Sequence, residues 1–353
     1  MRIMNIRVRV MSWSNRRDIE RINRDLGEQY FQDKNILVTG GAGFLGSWIC
    51  DALIAQGANV ICVDNLSSGL ISNVSHLLDE DKFKFIQHDV SDLSRPLKID
   101  QKLDLVIHMA SRASPFEFEY YPIEILKANT IGLMASLEIA RNHNARLLYT
   151  STSEIYGNPT VVPTPESYNG NVNPIGPRGC YDEAKRCGEA YVMAYRNQHG
   201  LDVRIARIFN TYGPRIRWDG IYARAVPRFI AQAIHGEPIT IFGDGTQTRS
   251  FTYVTDQIEG LLKLASTDEA NGAVVNIGND RETTIIELAK MVLKITGSCS
   301  GIVYQPLPED DPLRRCPDIT KAMDLLGWAP KVALEDGLRR TVAWFRSCLG
   351  VYT

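Results

Sequence analysis

The sequence predicts an α/β protein, with a doubly wound parallel sheet and a smaller lobe at its C-terminal end. Short apolar strands alternate with helical segments from residue 34 to about residue 210, and this alternation is typical of a parallel sheet covered on both faces. The first strand runs into a glycine-rich turn. Beyond Gly213 and Pro214 the chain consists of shorter pieces interrupted by proline and glycine, which indicates an added lobe.

The glycine-rich turn lies in the stretch Asn35–Gly46, NILVTGGAGFLG. A strand, a turn with Gly40, Gly43 and Gly46, and then a helix form a cradle in which the backbone approaches a pyrophosphate at the helix N-terminus. The second strand ends in Asp64, about 20 residues further on, which is the spacing of a carboxylate that binds a ribose 2′-hydroxyl. Such a carboxylate repels a 2′-phosphate, so the pattern predicts a Rossmann-like domain that binds NAD rather than NADP. The alternative is a structural turn in which Asp64 is only a cap.

The composition excludes several classes of protein. The chain has 353 residues, of which 44% are hydrophobic and 23% charged, and its net charge is −2. These values are ordinary for a soluble globular protein and give no reason to expect nucleic acid as a partner. No apolar run approaches the ~20 residues that span a bilayer, so we expect no membrane partner. The seven cysteines are odd in number and never in a C-x-x-C pair, so we expect no metal site, no disulfide framework and a cytoplasmic location.

The remaining elements follow in chain order. Predicted strands are Asn35–Thr39, Asn59–Val63, Phe83–His88, Leu105–His108, Arg146–Thr150 and Val203–Phe209, with Ala273–Ile277 returning to the sheet or its edge. Predicted helices include Pro122–Asn142, Tyr181–His199, Ile285–Thr296 and Leu334–Ser347. We therefore expect an N-terminal extension over residues 1–33, a NAD-binding Rossmann domain over 34–210 and a substrate-binding lobe over 211–353. About 251–280 of that lobe is expected to return to the Rossmann domain.

The extension carries seven arginines interleaved with acids. The segment Ser14–Tyr30 predicts a helix with Ile19, Ile22 and Leu26 on one face. It lacks the apolar core of a secretion signal. We therefore expect a surface extension rather than a targeting segment.

Two residues near the middle of the chain suggest chemistry on a hydroxyl group. Tyr181 and Lys185 are four residues apart in a predicted helix and so share a face. An ammonium beside a phenol is expected to lower the pKa of the phenol, which then takes a proton from a substrate hydroxyl while a nicotinamide takes the hydride. Because Y-x-x-x-K is common by chance, the alternative is a pair on a surface helix.

The run TSTSE, residues 150–154, follows a predicted strand at its carboxyl end, where open α/β sheets bind their ligands. Its hydroxyl groups are suited to hold the reacting oxygen of a sugar. Glu154 adds a carboxylate that a simple oxidation does not need. The run therefore strengthens the catalytic interpretation of Tyr181.

Together, the glycine turn, Asp64, Tyr181 and Lys185 resemble the extended short-chain dehydrogenase/reductase family, whose members act mainly on nucleotide sugars. Within that family the sequence is most similar to the UDP-glucuronate decarboxylases, also called UDP-xylose synthases. The similar stretches are TSTSEIYG (150–157), GNVNPIGPRGCYDEAKR (170–186), VRIARIFNTYGPR (203–215), FGDGTQTRSFTYVTD (242–256) and DDPLRRCPDITKA (310–322). The resemblance runs almost continuously from about residue 34 to residue 345, and the extension lies outside it.

The resemblance implies a mechanism. Tyr181 would remove the C4 hydroxyl proton of UDP-glucuronate as NAD takes the C4 hydride. The resulting 4-keto acid would lose carbon dioxide and be protonated at C5, and the retained NADH would then reduce the product to UDP-xylose. Thr152 and Ser153 would hold the C4 oxygen, and Glu154 would act near C5. Arg315 would meet the substrate carboxylate or assist in protonating the enolate, because its planar fork binds a carboxylate bidentately; without the resemblance it would be read as a solvated arginine.

The resemblance also implies the binding residues and a partner. The implied cofactor-binding residues are Gly40, Gly43, Phe44, Leu45, Gly46, Asp64, Asn65, Ser68, Gly69, Asp89, Val90, Met109, Ala110, Ser111, Tyr181 and Lys185. The residues implied for the UDP group are Lys127, Asn210, Arg215 and Arg249. A homodimer packed through a bundle of the helices Pro122–Asn142 and Tyr181–His199 is implied as well.

The sequence departs from these decarboxylases at one place. They usually have H-L-A-x-P-A-S-P where this chain has HMASRASP (108–115), with Arg112 in place of proline. Such an arginine is expected either to alter sugar selection or to point to solvent.

Three other functions stay open at this point. The first is a 4-epimerase of UDP-glucuronate or UDP-glucose, although such enzymes typically carry serine where this chain has Glu154. The second is a 4,6-dehydratase, which usually pairs Asp with Glu where this chain has Ser153 and Glu154. The third is a catalytically silent NAD-binding protein, which would be expected to have lost Tyr181, Lys185 or the hydroxyl pair.

Overall fold

The structure, a computed structural model, describes residues 16–27, 30–115, 117–219 and 224–350. Its strands are β1 (Asn35–Thr39), β2 (Asn59–Asp64), β3 (Phe83–Gln87), β4 (Leu105–His108), β5 (Arg146–Thr152), β6 (Val203–Ile208), β7 (Thr211–Tyr212), β8 (Ile239–Phe242), β9 (Thr248–Ser250), β10 (Thr252–Tyr253), β11 (Val274–Ile277), β12 (Glu282–Thr284), β13 (Ile302–Gln305) and β14 (Arg314–Arg315). Its α-helices are α1 (Arg16–Leu26), α2 (Phe44–Ala55), α3 (Glu117–Tyr120), α4 (Pro122–Asn129), α5 (Ile131–His143), α6 (Gly179–His199), α7 (Ala225–His235), α8 (Val254–Ser266), α9 (Ile285–Thr296), α10 (Thr320–Leu326) and α11 (Leu334–Leu349). None of these described helices is long and apolar enough to cross a membrane.

Seven of the described strands form the central sheet, in the order β11-β6-β5-β4-β1-β2-β3, and all of their pairings are parallel. Successive residues of β1 face opposite sides, since Ile36 and Val38 belong to the core on one face and Leu37 to the core on the other. Strands buried on both faces require such continuous apolar runs. The predicted doubly wound sheet is therefore confirmed, and the predicted returning strand is β11, at the edge beside β6.

The strand order reverses at β1, whose neighbours are β2 on one side and β4 on the other. In sheets of this kind the ligand crevice lies at the reversal, outside the carboxyl ends of the strands. Helix α2 begins there directly after Gly43, and no side chain caps its first turn. Its first backbone N–H groups are therefore available to a ligand in the crevice.

One predicted helix is wrong as a single element. The segment Pro122–Asn142 forms two helices, α4 and α5, which meet at Thr130. The Thr130 hydroxyl donates to the Leu126 carbonyl oxygen at 2.7 Å, and the Asn129 amide donates to the Ile125 carbonyl oxygen at 2.9 Å. Side chains that bond to the preceding turn in this way bend helices, which accounts for the break.

The predicted bounds of five strands also shift. β2 ends one residue later than predicted, at Asp64, and β11 begins one residue later, at Val274. β5 continues two residues beyond its predicted end and so carries Thr152 to the carboxyl edge of the sheet. β3 and β6 each end one residue earlier than predicted. The extension of β5 matters for the site, because it fixes the hydroxyl run on a rigid strand.

The chain beyond β7 adds small sheets to the central one. β8 pairs with β13, while β9 lies between β12 and β14. Arg315 on β14 is in register with Arg249 on β9. Two arginines that are far apart in sequence are thus neighbours in this part of the molecule.

Helix α1 is the described part of the helix predicted over Ser14–Tyr30; residues 14, 15, 28 and 29 lie outside the described residues. It packs against α2 and α8, with Ile22 fully buried. The Arg21 guanidinium donates to the buried Asp256 carboxylate at 2.6 Å. Helix α1 is therefore docked on the core.

Replacing Ile22 with alanine tests this docking. We expect the free energy of unfolding to fall by roughly 2–4 kcal/mol, because a fully buried side chain leaves a cavity between α1 and α8. Urea denaturation followed by circular dichroism measures the change. Arg16→Ala on the exposed face of the same helix is the matched control, and a loss below about 0.5 kcal/mol for Ile22→Ala would contradict the docking.

Candidate functional site

A cleft of about 770 Å³ lies along the carboxyl ends of the central strands, at the reversal of strand order. The predicted site residues that line it are Gly40, Gly43, Phe44, Leu45, Gly46, Asp64, Asn65, Ser68, Gly69, Asp89, Val90, Met109, Ala110, Ser111, Lys127, Thr152, Ser153, Glu154, Tyr181, Lys185 and Asn210. Arg215, Arg249 and Arg315 are not among the residues that line it. The structure thus brings together residues from six strand ends and three α-helices.

The glycine turn is packed too tightly for side chains. A Cβ atom on Gly46 would lie 2.2 Å from the Gly40 carbonyl oxygen and 2.8 Å from the Gly41 Cα atom. Gly40 has a φ of +70°, and a Cβ atom there would lie 2.8 Å from the backbone of Ala110. This packing sets the uncapped start of α2 directly beside the strand ends, which fits the pyrophosphate of a dinucleotide.

Asp64 holds the two loops that flank this cradle. Its carboxylate accepts hydrogen bonds from the Ala42 N–H at 3.0 Å and from the Leu66 N–H at 2.8 Å. Burial raises the pKa of Asp64 above its ordinary value, although both hydrogen bonds oppose the change. The capping role that the sequence left open is therefore present. A carboxylate has about four lone-pair sites, so the same group retains capacity for a ribose hydroxyl.

Tyr181 and Lys185 both lie on α6 and face the carboxyl end of β5. The Tyr181 ring stacks on Phe118 with 5.1 Å between ring centroids, and the neighbouring Thr152 side chain acts to lower the pKa of its hydroxyl. The Lys185 ammonium donates to the Thr150 carbonyl oxygen at 2.8 Å and lies 5.9 Å from the centre of the Tyr181 ring. The tyrosine hydroxyl and the hydroxyl run of β5 are thus side by side.

The expected lowering of the Tyr181 pKa is wrong for the protein without ligands. Burial raises the pKa of Tyr181 to about 12, with Arg224 opposing the change and Glu154 adding to it. Burial also lowers the pKa of Lys185 to about 7. Both shifts have one cause, because a buried site disfavours the charged form of each group. Positive charge brought into the cleft would oppose the effect of burial on Tyr181.

Glu154 lies in the short 3₁₀ turn Ser153–Tyr156 that follows β5. Its two carboxylate oxygens accept hydrogen bonds from Arg178 at the start of α6 and from Arg315 on β14. Burial alone would raise the pKa of Glu154, but these two arginines outweigh it and hold the pKa at about 2. Glu154 is therefore ionised throughout the neutral range.

Glu154 belongs to a larger charge cluster. The Glu154 cluster consists of Glu154, Arg178, Asp182, Arg249, Asp311 and Arg315. Arg249 donates to Asp311 at 2.8 Å, and the Arg178 Nε atom lies 3.6 Å from the Asp182 carboxylate. Burial, and then the neighbouring Glu154, raise the pKa of Asp182 to about 7. The cluster joins the Rossmann sheet to the C-terminal sheets at the inner end of the cleft.

One arginine of the Glu154 cluster has unpaired hydrogen-bond donors. Among the described residues, the Nε and Nη2 atoms of Arg315 are buried and have no hydrogen-bond partner. A buried guanidinium donor without a partner is costly, so it favours an anionic ligand with at least two acceptor oxygens. A carboxylate group satisfies that requirement.

Only two of the four residues predicted to bind the UDP group line the cleft. Lys127 on α4 and Asn210 after β6 line the cleft. Arg215 instead pairs with Asp51 at 2.6 Å and lies over the Trp48 ring, with 5.2 Å from the guanidinium carbon to the ring centre. Its role in UDP binding stays a prediction, as do the roles of the other site residues.

Sequence reasoning missed several members of the site. Arg178 and Asp182 flank Tyr181 in the motif GPRGCYDEAKR and are four residues apart, so a helix places them on one face. Asp311 lies in the motif that supplied Arg315. These three residues lie in motifs that the sequence analysis had already singled out, so they could have been predicted as members of the site. Arg224 also lines the cleft, but it lies in no sequence motif that could have revealed it.

The sequence matches the model of the NAD dependent epimerase/dehydratase family over residues 36–278. This range is more than half of the chain, and the glycine cradle and the Tyr181–Lys185 pair lie within it. The protein belongs to this family.

Relatives with assigned names narrow the comparison. The chain is 47% identical over 313 residues to UDP-glucuronic acid decarboxylase 1 of Xenopus tropicalis, and the alignment covers 89% of this chain and 72% of that protein. Proteins of the same description from Danio rerio and Arabidopsis thaliana are similar to it at 45–47% identity. The resemblance to UDP-glucuronate decarboxylases is confirmed.

Solved structures support the same fold. An epimerase from Methanothermobacter thermautotrophicus matches with a TM-score of 0.85 at 31% identity, covering 94% of this chain and 96% of that one. A UDP-glucuronic acid 4-epimerase from Bacillus cereus, solved with UDP-glucuronic acid and NAD, matches with a TM-score of 0.79 at 30% identity, covering 90% and 100%. The predicted Rossmann-like fold and NAD as the cofactor are thereby confirmed.

The buried Lys185 has a consequence for stability. The pKa of its amine falls from an ordinary value of 10.5 to about 7 in the folded protein. Between these pH values the unfolded chain binds the proton and the folded chain does not, so stability rises with pH across this window and the charged amine is most costly below pH 7. We expect Lys185→Met to raise the free energy of unfolding at pH 6 and this gain to shrink towards pH 10.

Urea denaturation at pH 6, 8 and 10 measures this difference. Lys290→Met on the exposed side of α9 is the control and should show no such trend. A Lys185→Met difference that stays constant across the three pH values would contradict a burial-shifted pKa.

Proposed function

We propose that the protein converts UDP-glucuronate to UDP-xylose by NAD-dependent decarboxylation through a 4-keto intermediate. The observation that carries this proposal is the pairing of Glu154 with Arg315 beside Tyr181, in a chain 47% identical to UDP-glucuronic acid decarboxylases. Oxidation of a uronic acid substrate requires a tyrosine that takes the hydroxyl proton. The substrate carboxylate requires an arginine with free donors, and a protein carboxylate stands beside both. NAD, when bound, accepts the C4 hydride and later returns it, so it is not consumed.

The first step places a proton on Tyr181. Tyr181 lines the cleft together with Thr152 and Ser153 at the end of β5. Tyr181 removes the C4 hydroxyl proton, and the two hydroxyl side chains hold the C4 oxygen. The form of Tyr181 that accepts this proton is the phenolate, and the nearby Lys185 stabilises its negative charge when protonated.

The second step is loss of the carboxylate. In the 4-keto acid the carboxylate is β to a carbonyl group, so the electrons of the breaking C5–C6 bond move into that carbonyl and form an enolate. Carbon dioxide leaves, C5 takes a proton, and the 4-keto pentose is reduced at C4, where Tyr181 returns its proton. No external oxidant or reductant is needed.

The pKa of Glu154 constrains its part in these steps. An ionised Glu154 between two arginines is not an acid at neutral pH. A substrate carboxylate that engages the free donors of Arg315 competes with Glu154 for that arginine. The pKa of Glu154 then rises, which brings it toward the range of a proton donor or acceptor near C5.

A 4-epimerase is the second candidate, because the solved structures similar to this chain include a UDP-glucuronic acid 4-epimerase. That match is at 30% identity, compared with 47% for the decarboxylases. Glu154 also disfavours it, since epimerases of this group typically have serine at that position. We therefore place the decarboxylase first.

We also propose a homodimer in the cytoplasm. The helices α4 and α5 expose Ile123, Leu126 and Met134, which are 55%, 37% and 37% exposed. This apolar strip, beside α6, supports a helix-bundle interface. All seven cysteines are free thiols, which supports a reducing compartment.

The direct test is incubation of the purified protein with UDP-glucuronate and catalytic NAD. We expect carbon dioxide in equal amount to UDP-xylose, followed by headspace analysis and by NMR of the sugar nucleotides. UDP-galacturonate without gas would instead identify an epimerase. No change in the sugar nucleotide would exclude both candidates for this substrate.

Two variants test the assignment of steps. Tyr181→Phe should lower turnover by roughly 10²–10⁴-fold, because the proton acceptor is lost, while NAD affinity stays within a few fold. Tyr191→Phe, on the same helix but outside the cleft, is its control. Normal turnover in Tyr181→Phe would remove this residue from the mechanism.

Glu154→Gln should slow the steps after oxidation more than oxidation itself. We expect enzyme-bound NADH to accumulate at 340 nm when UDP-glucuronate is added. Glu183→Gln on the outer side of α6 is the control and should show no build-up. If bound NADH stays at the level of the unmodified protein, Glu154 does not act after oxidation.

A further inference from the structure

Arg112 lies in the segment after β4, at the position where related decarboxylases usually have proline. The sequence left two expectations for it, an effect on sugar selection or exposure to solvent. The second is wrong, because the Arg112 side chain is only 12% exposed and lines the cleft. Its surroundings therefore show what it does.

The Arg112 guanidinium makes three contacts. Its Nη1 atom donates to the Glu117 carboxylate at 2.6 Å, and its Nη2 atom donates to the Ser67 carbonyl oxygen at 3.2 Å. Its planar face lies over the Tyr121 ring, with 4.2 Å from the guanidinium carbon to the ring centre. Glu117 and Tyr121 belong to the same side of the cleft as Arg112, whereas Ser67 belongs to the opposite side.

This geometry makes Arg112 a bridge across the reversal of strand order. Ser67 lies in the loop after β2, and Arg112 lies in the loop after β4. β2 and β4 flank β1, whose glycine turn forms the pyrophosphate cradle. A link from Arg112 to Ser67 thus passes across the part of the cleft that the cofactor has to enter and leave.

A second arginine holds the same loop from another direction. Arg217, in the segment after β7, donates from its Nη1 atom to the Ser68 carbonyl oxygen at 3.1 Å. On its inner side the loop packs on Asp64, since a Cβ atom on Gly69 would lie 2.8 Å from that carboxylate. The loop Asn65–Gly69, which is predicted to bind the cofactor, is therefore held at two consecutive carbonyl groups.

We propose that Arg112 retains NAD by tying the loop Asn65–Gly69 to the opposite wall of the cleft. The cofactor leaves only when this loop moves away, and the charge-assisted hydrogen bond to Ser67 has to break first. Such retention suits a reaction that regenerates its NAD in every cycle. The proposal depends on NAD binding, which the family establishes, and not on the identity of the sugar, so the two can fail independently.

The test measures cofactor release rather than turnover. Protein loaded with NADH is mixed with excess NAD, and the loss of enhanced NADH fluorescence gives the dissociation rate constant. We expect Arg112→Met to release NADH about tenfold faster than the unmodified protein. Arg339→Met, which breaks an exposed arginine–glutamate pair on α11, is the matched control and should release NADH at the unmodified rate.

Removing Arg112 also leaves Glu117 as a buried carboxylate beside the cleft, only 2% exposed. The double variant Arg112→Met/Glu117→Gln distinguishes the effect of this unpaired charge from the effect of losing the hydrogen bond to Ser67. Release should stay fast in the double variant, and it should stay slow in Glu117→Gln alone, where the bond to Ser67 remains. Slow release in the double variant would mean that the unpaired charge causes the effect, and it would overturn the proposal.

Arg112→Lys covers the case in which Arg112→Met does not fold. A lysine keeps the charge beside Glu117 but lacks the planar fork that reaches both partners, so release should again be faster. If these variants change the KM for UDP-glucuronate while NADH release is unaltered, Arg112 acts in sugar selection and the retention proposal is wrong.

Discussion

The ion pairs of Glu154 with Arg178 and Arg315 connect three distant parts of the chain. Glu154 follows a central strand, Arg178 opens the helix that carries Tyr181, and Arg315 lies on a short strand of the C-terminal sheets. Breaking one such pair leaves a buried charge without its partner, which is among the more destabilising changes a protein can suffer. The position of the C-terminal sheets relative to Tyr181 therefore depends on these pairs.

The same arrangement gives the two ends of the cleft different tasks. At the outer end, backbone packing around Gly40 and Gly46 and the carboxylate of Asp64 shape a rigid cradle for a dinucleotide. At the inner end, ion pairs dominate. Burial there raises the pKa of Tyr181 and lowers the pKa of Lys185, so both groups favour their neutral forms. The Tyr181–Lys185 pair thus favours its neutral forms, whereas the adjoining Glu154 cluster is already charged.

Local patterns predicted much of this molecule, and nonlocal contacts account for what they missed. The glycine turn, Asp64 and the Tyr181–Lys185 spacing are each contained in a short stretch, so their positions were predictable. The partnership of Glu154 with Arg315 joins residues 161 apart in the chain, and no spacing rule reveals it. The sign of the Tyr181 pKa shift was missed for a related reason, since burial arises from the whole fold. The helix break at Thr130 depends on a side-chain hydrogen bond that periodicity does not detect.

The two unpartnered donors of Arg315 bear on discrimination between substrates. If a uronate carboxylate satisfies them, a neutral hexose of the same shape leaves them dry and unpaired in a buried site. Sites built to hydrogen-bond a substrate group reject analogues that lack it far more strongly than apolar pockets reject a missing methylene. The two donors of Arg315 would then disfavour binding of neutral sugar nucleotides and so limit their competition for the cleft.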